Sequence, residues 1–334
     1  MLSWSNTMNV TFRTGKHARG TFSCEAQGKL MDWYGEVTTT TTTVAPPPPY
    51  LGIASEQVDS SEHGGPLGPK STNCHCGWAN KHKSRIVNGV ETRANEFPFM
   101  VAVIDTFRGS QFCGGSLISA YHVLTAAHCT YKHLISGRSI SVVIGDHNLY
   151  RDDETNATRT IEVVRIVQHL EYNAWSLKND ISLLVLGERV EFNKLVGPVC
   201  LSKVQLEIPT QYVTIIGWGN LRWQGSSPDV LQKVHVRVVH RSSCSEVFFL
   251  VDDINPTQIC TYASAKASCQ GDSGGPVVWL DPETNRYVQV GLVSFGTVCA
   301  DTNPTVHTDV TAYYDWIQDS IKETMPQETC SKIP

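Results

Sequence analysis

The chain has 334 residues, 41% of them hydrophobic and 18% charged, with a formal net charge of −5 at pH 7. That length and balance suit one large globular domain or two smaller ones. The mild negative charge gives neither nucleic acid nor an anionic membrane an electrostatic reason to bind, and no apolar run is long enough for a spanning helix. Eleven cysteines point to a disulfide framework and a secreted, extracellular protein. The Asn-x-Thr sites at Asn9 and Asn156 agree with that as glycosylation acceptors. The first ten residues lack the apolar core and cleavage site of a signal peptide, so the sequence reads as one that lacks its natural start.

In chain order, residues 9–24 carry two short strand patterns around a Gly/Lys/Arg turn. The Val10-Thr-Phe pattern with Gly20-Thr-Phe resembles the closing strands of a CUB domain. Residues 1–34 are thus a partial CUB-like segment, too short for a whole sandwich. Residues 35–73 read as a linker: Thr38–Thr43 is an unbroken threonine run, Pro46–Pro49 follows, and Gly, Pro and Ser recur to Ser71. Such a stretch is expected to be disordered and extended. Residues 74–85 hold Cys74-His-Cys76-Gly-Trp78 and a basic run ending in Arg85, just before Ile86-Val-Asn-Gly89. A Cys/His metal site here is disfavoured, because no second ligand pair has metal spacing.

From Ile86 the texture changes. Short strand patterns recur between turn signals, among them 99–104, 116–119, 141–144, 161–164, 181–186, 212–216, 234–238, 276–279 and 288–293. This predicts an all-β domain. The one helical pattern is terminal, with Val310, Tyr313, Tyr314, Ile317 and Ile321 at spacings of three and four.

The chemistry centres on Cys269-Gln-Gly-Asp-Ser-Gly-Gly-Pro276. A serine needs a base to become a nucleophile, a group to orient that base, and donors for the oxyanion. Glycines on both sides of Ser273 allow a tight turn that brings backbone N–H groups to a substrate carbonyl. His128, in Thr125-Ala-Ala-His-Cys129, is the candidate base. Asp180, in Asn179-Asp-Ile-Ser-Leu-Leu184, is the candidate orienting acid, since an aspartate entering an apolar strand must be hydrogen-bonded; His128 is its first partner and Ser294 a second. The order His, Asp, Ser is that of the chymotrypsin arrangement.

With Ile86-Val-Asn-Gly89 and Gly217-Trp-Gly219, these motifs make residues 86–324 resemble the trypsin/chymotrypsin family. The CUB-like segment and the Cys-x-Cys-Gly-Trp entry make the chain similar to the CUB-serine proteases of arthropods, including hymenopteran venom proteases. The resemblance implies two six-stranded antiparallel β-barrels and a C-terminal helix, in a protease domain of residues 86–325. It implies a secreted serine endopeptidase in which Ser273 attacks, His128 shuttles the proton, Asp180 holds the imidazole, and the N–H groups of Gly271 and Ser273 bind the oxyanion. Ser294, Phe295 and Gly296 would pair with the substrate backbone. Cleavage between Arg85 and Ile86 would free an ammonium that pairs with Asp272, making the chain a zymogen that needs an upstream activating protease. The implied disulfides are Cys113–Cys129, Cys244–Cys260, Cys269–Cys299 and Cys76–Cys200, with Cys74–Cys330 left as an open pairing and Cys24 unassigned.

The sequence departs from the trypsin pattern at the primary pocket. Ala267 stands where an aspartate would face an arginine, Ser268 follows it, and Thr305 replaces a glycine on the far wall. A pocket without a buried counter-charge disfavours Arg and Lys and predicts small or medium apolar residues. The alternatives are tryptic specificity, with Asp301 reaching the pocket, and a non-catalytic homologue that acts by binding. No cofactor is required. Asp146, Asp152, Asp153 and Glu154 offer oxygen ligands for a structural calcium, with a solvated loop the favoured reading. Expected partners are protein substrates, the activating protease and serpin-type inhibitors.

Overall fold

The computed structural model describes the backbone of residues 28–31 and 37–40, and residues 68–80, 90–151, 153–221, 225–249, 251, 257–263, 268–297 and 303–334. The chain divides into two compact units, Met1–Glu56 and Gln57–Pro334. In the first, β1 (Gly28–Met31) pairs antiparallel with β2 (Val37–Thr40), Leu30 opposite Thr38. This differs from the linker expected from residue 35. Threonine is β-branched and favours extended, paired backbone, so three of the run's threonines enter a strand. The strand patterns within 9–24 lie outside the described residues.

The second unit begins its sheets with β3 (Val90–Glu91), followed by β4 (Met100–Asp105), β5 (Ser110–Ser119), β6 (His122–Thr125), β7 (Ile140–Ile144), β8 (Arg159–Gln168) and β9 (Ser182–Leu186). Strands β4 to β9 close into an antiparallel barrel in the order β4-β5-β6-β9-β8-β7. Its interior holds Val101, Val103, Leu117, Val123, Val142 and Leu184. Next come β10 (Tyr212–Gly217), β11 (Gln232–Val239), β12 (Gln258–Tyr262), β13 (Pro276–Asp281), β14 (Arg286–Phe295) and β15 (Thr305–Asp309). They run β10-β13-β14-β15-β12-β11, and β11 pairs back with β10 to close a second ring, with β3 added on the far side of β11. Val213, Ile215, Val236, Val238, Val277 and Val290 fill it. These are the two six-stranded antiparallel barrels expected. Closure leaves no ring strand with an unpaired edge.

Helices are more numerous than the single terminal pattern implied. Helix α1 (Ala127–Ser136) follows β6, α2 (Ser242–Ser245) follows β11, and a 3-10 turn (Val310–Tyr313) leads into α3 (Tyr314–Thr324). In α1 only Ala127, Cys129, Thr130 and His133 are buried, so its hydrophobic stripe is too sparse to show a helical period. Ile317 and Ile321 of α3 pack with Ile118, Ile181, Leu183, Trp218 and Leu292 in a core contributed by both barrels.

Residues 68–80 lie along this domain. Gly68 N donates to Thr284 O, Lys70 N to Glu283 O and Asn73 N to Ser331 O, so the last part of the expected linker is ordered backbone. Trp78 is buried with its Nε1 on Lys194 O at 3.0 Å, and a Cβ at Gly197 would stand 1.9 Å from its ring. Only glycine fits there. Disulfides Cys76–Cys200 and Cys74–Cys330 fasten the segment to the barrel domain and to its C-terminal tail. A cut anywhere within 81–89 therefore leaves two chains joined by two bridges. Removing one bridge, with Cys76→Ser and Cys200→Ser together, is expected to leave the cut chains joined on a non-reducing gel. Removing Cys74 and Cys330 as well releases the N-terminal piece.

Candidate active site

The site lies where the two barrels meet. Asp180 precedes β9 and is 1% exposed. Its Oδ1 accepts from His128 N at 2.8 Å, and its Oδ2 accepts from His128 Nδ1 at 2.8 Å and from Ser294 Oγ at 2.5 Å. Ser294 belongs to β14, so one carboxylate ties both barrels together. The Asp180 carbonyl accepts from Thr308 Oγ1 at 2.8 Å, and Tyr313 Oη donates to Asn179 Oδ1 at 2.8 Å. The buried charge thus has its hydrogen bonds complete.

His128 sits in the first turn of α1. Its Nδ1–H is committed to Asp180, which leaves the Nε2 lone pair for the cleft. Burial disfavours the imidazolium, but the charge of Asp180 and its hydrogen bond outweigh that, so the pKa of His128 stands above the ordinary 6.5. Ser273 Oγ makes no hydrogen bond to His128 Nε2, which instead lies 3.7 Å from Cys129 Sγ. Catalytic hydrogen bonds are commonly long before substrate binds. Ser273 is nonetheless held beside the histidine. Gly114 N donates to Ser273 O at 2.8 Å, and a Cβ at Gly274, where φ is 72°, would lie 2.2 Å from Thr125 Oγ1 and 2.9 Å from Ala126 N.

The loop's backbone partners define what is left over. Asp272 N donates to Cys269 O, Gly274 N to Val293 O and Gly275 N to Asp272 O, and Cys269 N to Asp272 Oδ2. The N–H groups of Gly271 and Ser273 donate to none of the described residues. The Gln270 carbonyl accepts from Asn220 N at 2.7 Å. Because a trans peptide is planar, this turns the Gly271 N–H away from Asn220. The Gly271 carbonyl accepts from Gln111 Nε2 at 2.7 Å, and the same amide donates to Cys113 O at 3.0 Å. Gln111 and Asn220 were missed from sequence. Neither lies in a recognisable motif, and each acts across a long chain separation.

Asp272 points away from the cleft. Its Oδ1 accepts from Gly219 N and its Oδ2 from Cys269 N, each at 2.8 Å. Burial raises its pKa to about 6, against the pull of those two N–H groups. A Cβ at Gly219 would lie 2.4 Å from its carboxyl carbon, which explains the glycine after Trp218. Arg85 and Ile86 lie outside the described residues. Downstream of them, Val90 pairs with Lys233, whose Nζ makes a buried 2.5 Å ion pair with Glu96.

Of the expected pocket residues, Phe295 ends β14, paired with Val306, and packs edge-on to Phe248 at 5.4 Å. Gly296 faces the Thr305 side chain at 3.6 Å from where a Cβ would be, and Ser268 is half-buried. Ala267, Cys299 and Asp301 lie outside the described residues. The disulfides Cys113–Cys129 and Cys244–Cys260 are present; Cys269 is also disulfide-bonded. Asn156 is exposed in the turn before β8, and Asn9 is not described.

In the acidic loop the described carboxylates are engaged by the protein's own groups. Asp146 Oδ1 accepts from His147 N and Thr158 Oγ1, Asp153 is paired with Arg151, and Glu154 Oε2 accepts from Asn148 N. Asp152 is not described. Among the described residues the one converging set of metal-type ligands is Cys113, His128 and Cys129, whose sulfurs are bonded to each other.

Comparison with known proteins decides the family. The Trypsin family model matches residues 86–317. The chain belongs to the trypsin family. It is a serine endopeptidase with hymenopteran relatives. It is 39% identical over 254 residues to the venom serine protease of Polistes dominula, covering 75% of this chain and 90% of that one. It is 36% identical over 267 residues to venom serine protease 34 of Apis mellifera, covering 78% and 63%. It is 33% identical over 256 residues to the proclotting enzyme of Tachypleus tridentatus, covering 72% and 68%. No helix among the described residues is long and apolar enough to cross a membrane.

The buried carboxyl of Asp272 makes a pH prediction for the uncut protease. Its folded pKa lies above the ordinary 3.8, so ionisation costs stability. That cost is absent below about pH 4, grows through pH 6 and is complete above it. Asp272→Asn is expected to raise the melting temperature of the uncut chain at pH 7.5 and to leave it nearly unchanged at pH 3.5. Equal shifts at both pH values would contradict the assignment.

Proposed function

We propose that this protease is a secreted zymogen that cleaves protein substrates through an acyl-enzyme on Ser273. The observation that carries the reading is the fixed Asp180–His128 pair beside the N–H groups of Gly271 and Ser273, which donate to none of the described residues. His128 Nε2 takes the Ser273 proton as Oγ attacks the scissile carbonyl. The oxyanion moves onto Gly271 N and Ser273 N. His128 then passes the proton to the leaving amine, and the cycle repeats with water. Asp180 fixes the tautomer and offsets the imidazolium charge. Each oxyanion donor is worth ~10²–10³ in rate. Ser294 to Gly296 give the acyl side of the substrate a strand edge.

Cleavage between Arg85 and Ile86 supplies an ammonium for Asp272. A buried carboxyl with a raised pKa is a poor resident alone and a good partner for a cation, which makes the pair a switch. The primary pocket takes small or medium apolar residues, because Thr305 narrows the wall beside Gly296 and Ala267 offers no counter-charge. Activation after Arg85 is then the work of another, arginine-specific protease, and serpin-type inhibitors are natural partners. The hymenopteran relatives support secretion.

A peptide panel on protein cut at Arg85 tests the reading. Cleavage is expected after Ala, Val or Leu, is lost by at least ~10³ in Ser273→Ala, and does not arise from purified zymogen alone. Robust cleavage after Arg, or self-conversion without added protease, overturns the pocket assignment. The pH profile is a separate check. His128 must be neutral to accept a proton, and its pKa is raised, so kcat/KM should climb with pH through a midpoint above 6.5. Asp180→Asn should lower that midpoint as well as the rate.

A further inference from the structure

We infer that the buried ion pair between Glu96 and Lys233 is the positioning device that sets how far the freed Ile86 ammonium reaches, and so couples the cut at Arg85 to the oxyanion loop. This rests on the zymogen reading above and deepens it by naming the groups that seat the new terminus. Lys233 Nζ and Glu96 Oε1 lie 2.5 Å apart, with side-chain exposures of 5% and 3%. Burying two charges adds little net stability even when they pair, and the best-attested use of such a pair is to fix register.

The register at stake is that of β3. The strand is two residues long, with Val90 opposite Lys233 and Glu91 opposite Gln232, and Thr92 N donates to Leu231 O at 2.8 Å. A strand this short, added at the rim of a ring, specifies its own alignment weakly. An extended chain advances ~3.3–3.6 Å per residue, so a one-residue slip of β3 along β11 would shift the Ile86 amine by a comparable distance. The ion pair opposes that slip. Lys233 comes from the strand that β3 pairs with, and Glu96 comes from the same segment as β3. A slip would part the two charges while both stay buried, and a buried charge without its partner is strongly destabilising.

Glu96 is itself firmly held. Its N–H donates to Arg93 O at 3.0 Å, and its Oε2 accepts from Arg93 N at 3.1 Å, which closes the turn where Asn95 takes a φ of 54°. Asn95 Nδ2 donates to Gly145 O at 2.7 Å. The Glu96 carbonyl accepts from Asn80 N at 2.8 Å. One residue thus holds the chain before the cut by its backbone and the chain after it by its carboxylate. From β3, three contacts lead to Asp272. Thr92 Oγ1 lies 3.4 Å from His147 Nδ1, and His147 O accepts from Trp218 Nε1 at 2.8 Å. Gly219, next to Trp218, donates its N–H to Asp272 Oδ1 at 2.8 Å. The strand whose register the ion pair fixes is therefore braced on the segment that holds the carboxyl the ammonium must meet.

The test uses full-length protein cut at Arg85. It follows carbamylation of the Ile86 amine by cyanate with mass spectrometry, beside kcat, KM and the melting temperature. Glu96→Gln with Lys233→Met removes the register device without leaving a buried charge, so the fold should be kept. In this double variant the amine is expected to react at least about tenfold faster and kcat to fall about tenfold with KM unchanged, because only molecules with the amine seated are competent. Lys233→Arg keeps the pair and should keep both protection and kcat. A double variant with wild-type protection and wild-type kcat overturns the positioning role, even where its melting temperature drops. Should it fail to fold, Glu96→Asp, which shortens the reach and keeps both charges, is read the same way: faster carbamylation and lower kcat support the proposal, and unchanged values overturn it. Failure of the zymogen reading looks different. There the wild-type amine reacts as fast as that of a free peptide while the cut enzyme is fully active.

Discussion

The geometry of the site depends on where the Asp180 charge goes. A carboxylate at 1% exposure is tolerable only with its lone pairs filled. Here the filling is done by both barrels: His128 N and Nδ1 from the first, Ser294 Oγ from the second. Neither barrel satisfies Asp180 alone. Correct docking of the barrels and correct orientation of the histidine are therefore one condition. The shared core of Leu183, Leu292, Ile317 and Ile321 supplies non-directional attraction, and the carboxylate supplies the direction. Losing one partner would leave a buried charge partly unpaired, a larger cost than the hydrogen bond itself.

The serine loop obeys the same accounting with the opposite result. Around Ser273, backbone groups are consumed by Cys269, Asp272, Val293, Gly114, Asn220 and Gln111, while the N–H groups of Gly271 and Ser273 donate to none of the described residues. Leaving donors open costs folding energy; in the proposed mechanism the same donors would meet an oxyanion without reorganisation. Asp272 carries a second cost, an acid whose burial raises its pKa to about 6. Both costs sit within a few residues of the nucleophile, in a loop with glycines at φ values of 99° and 72°.

The fold class was readable because it rests on short alternating strands, and many of those patterns coincide with observed strands within a few residues. Strands β6, β12 and β15 escaped notice: His122–Thr125 is only four residues long, and Gln258–Tyr262 and Thr305–Asp309 mix polar and apolar side chains that are buried alike. Helix α1 was hidden by a face of Tyr131, Leu134 and Ile135 that looks like core and is exposed. The runs holding His128, Asp180 and Ser273 are local, so their residues could be picked out before any contact was known. Gln111 and Asn220 could not, because their roles exist only across the gap between distant segments. The threonine run misled for a different reason: composition suggested an unpaired linker, while β-branching lets the same residues form a strand opposite β1.

The two barrels divide the site between them. The first contributes the histidine, the aspartate and the Gln111 clamp, which reaches Gly271 O at 2.7 Å; the second contributes the serine loop and the strand edge that ends at Phe295, fixed by its pairing with Val306 and its edge-on contact with Phe248. The serine loop is therefore braced from both sides, and a shift in how the barrels dock would move Ser273 and His128 against each other without unfolding either barrel.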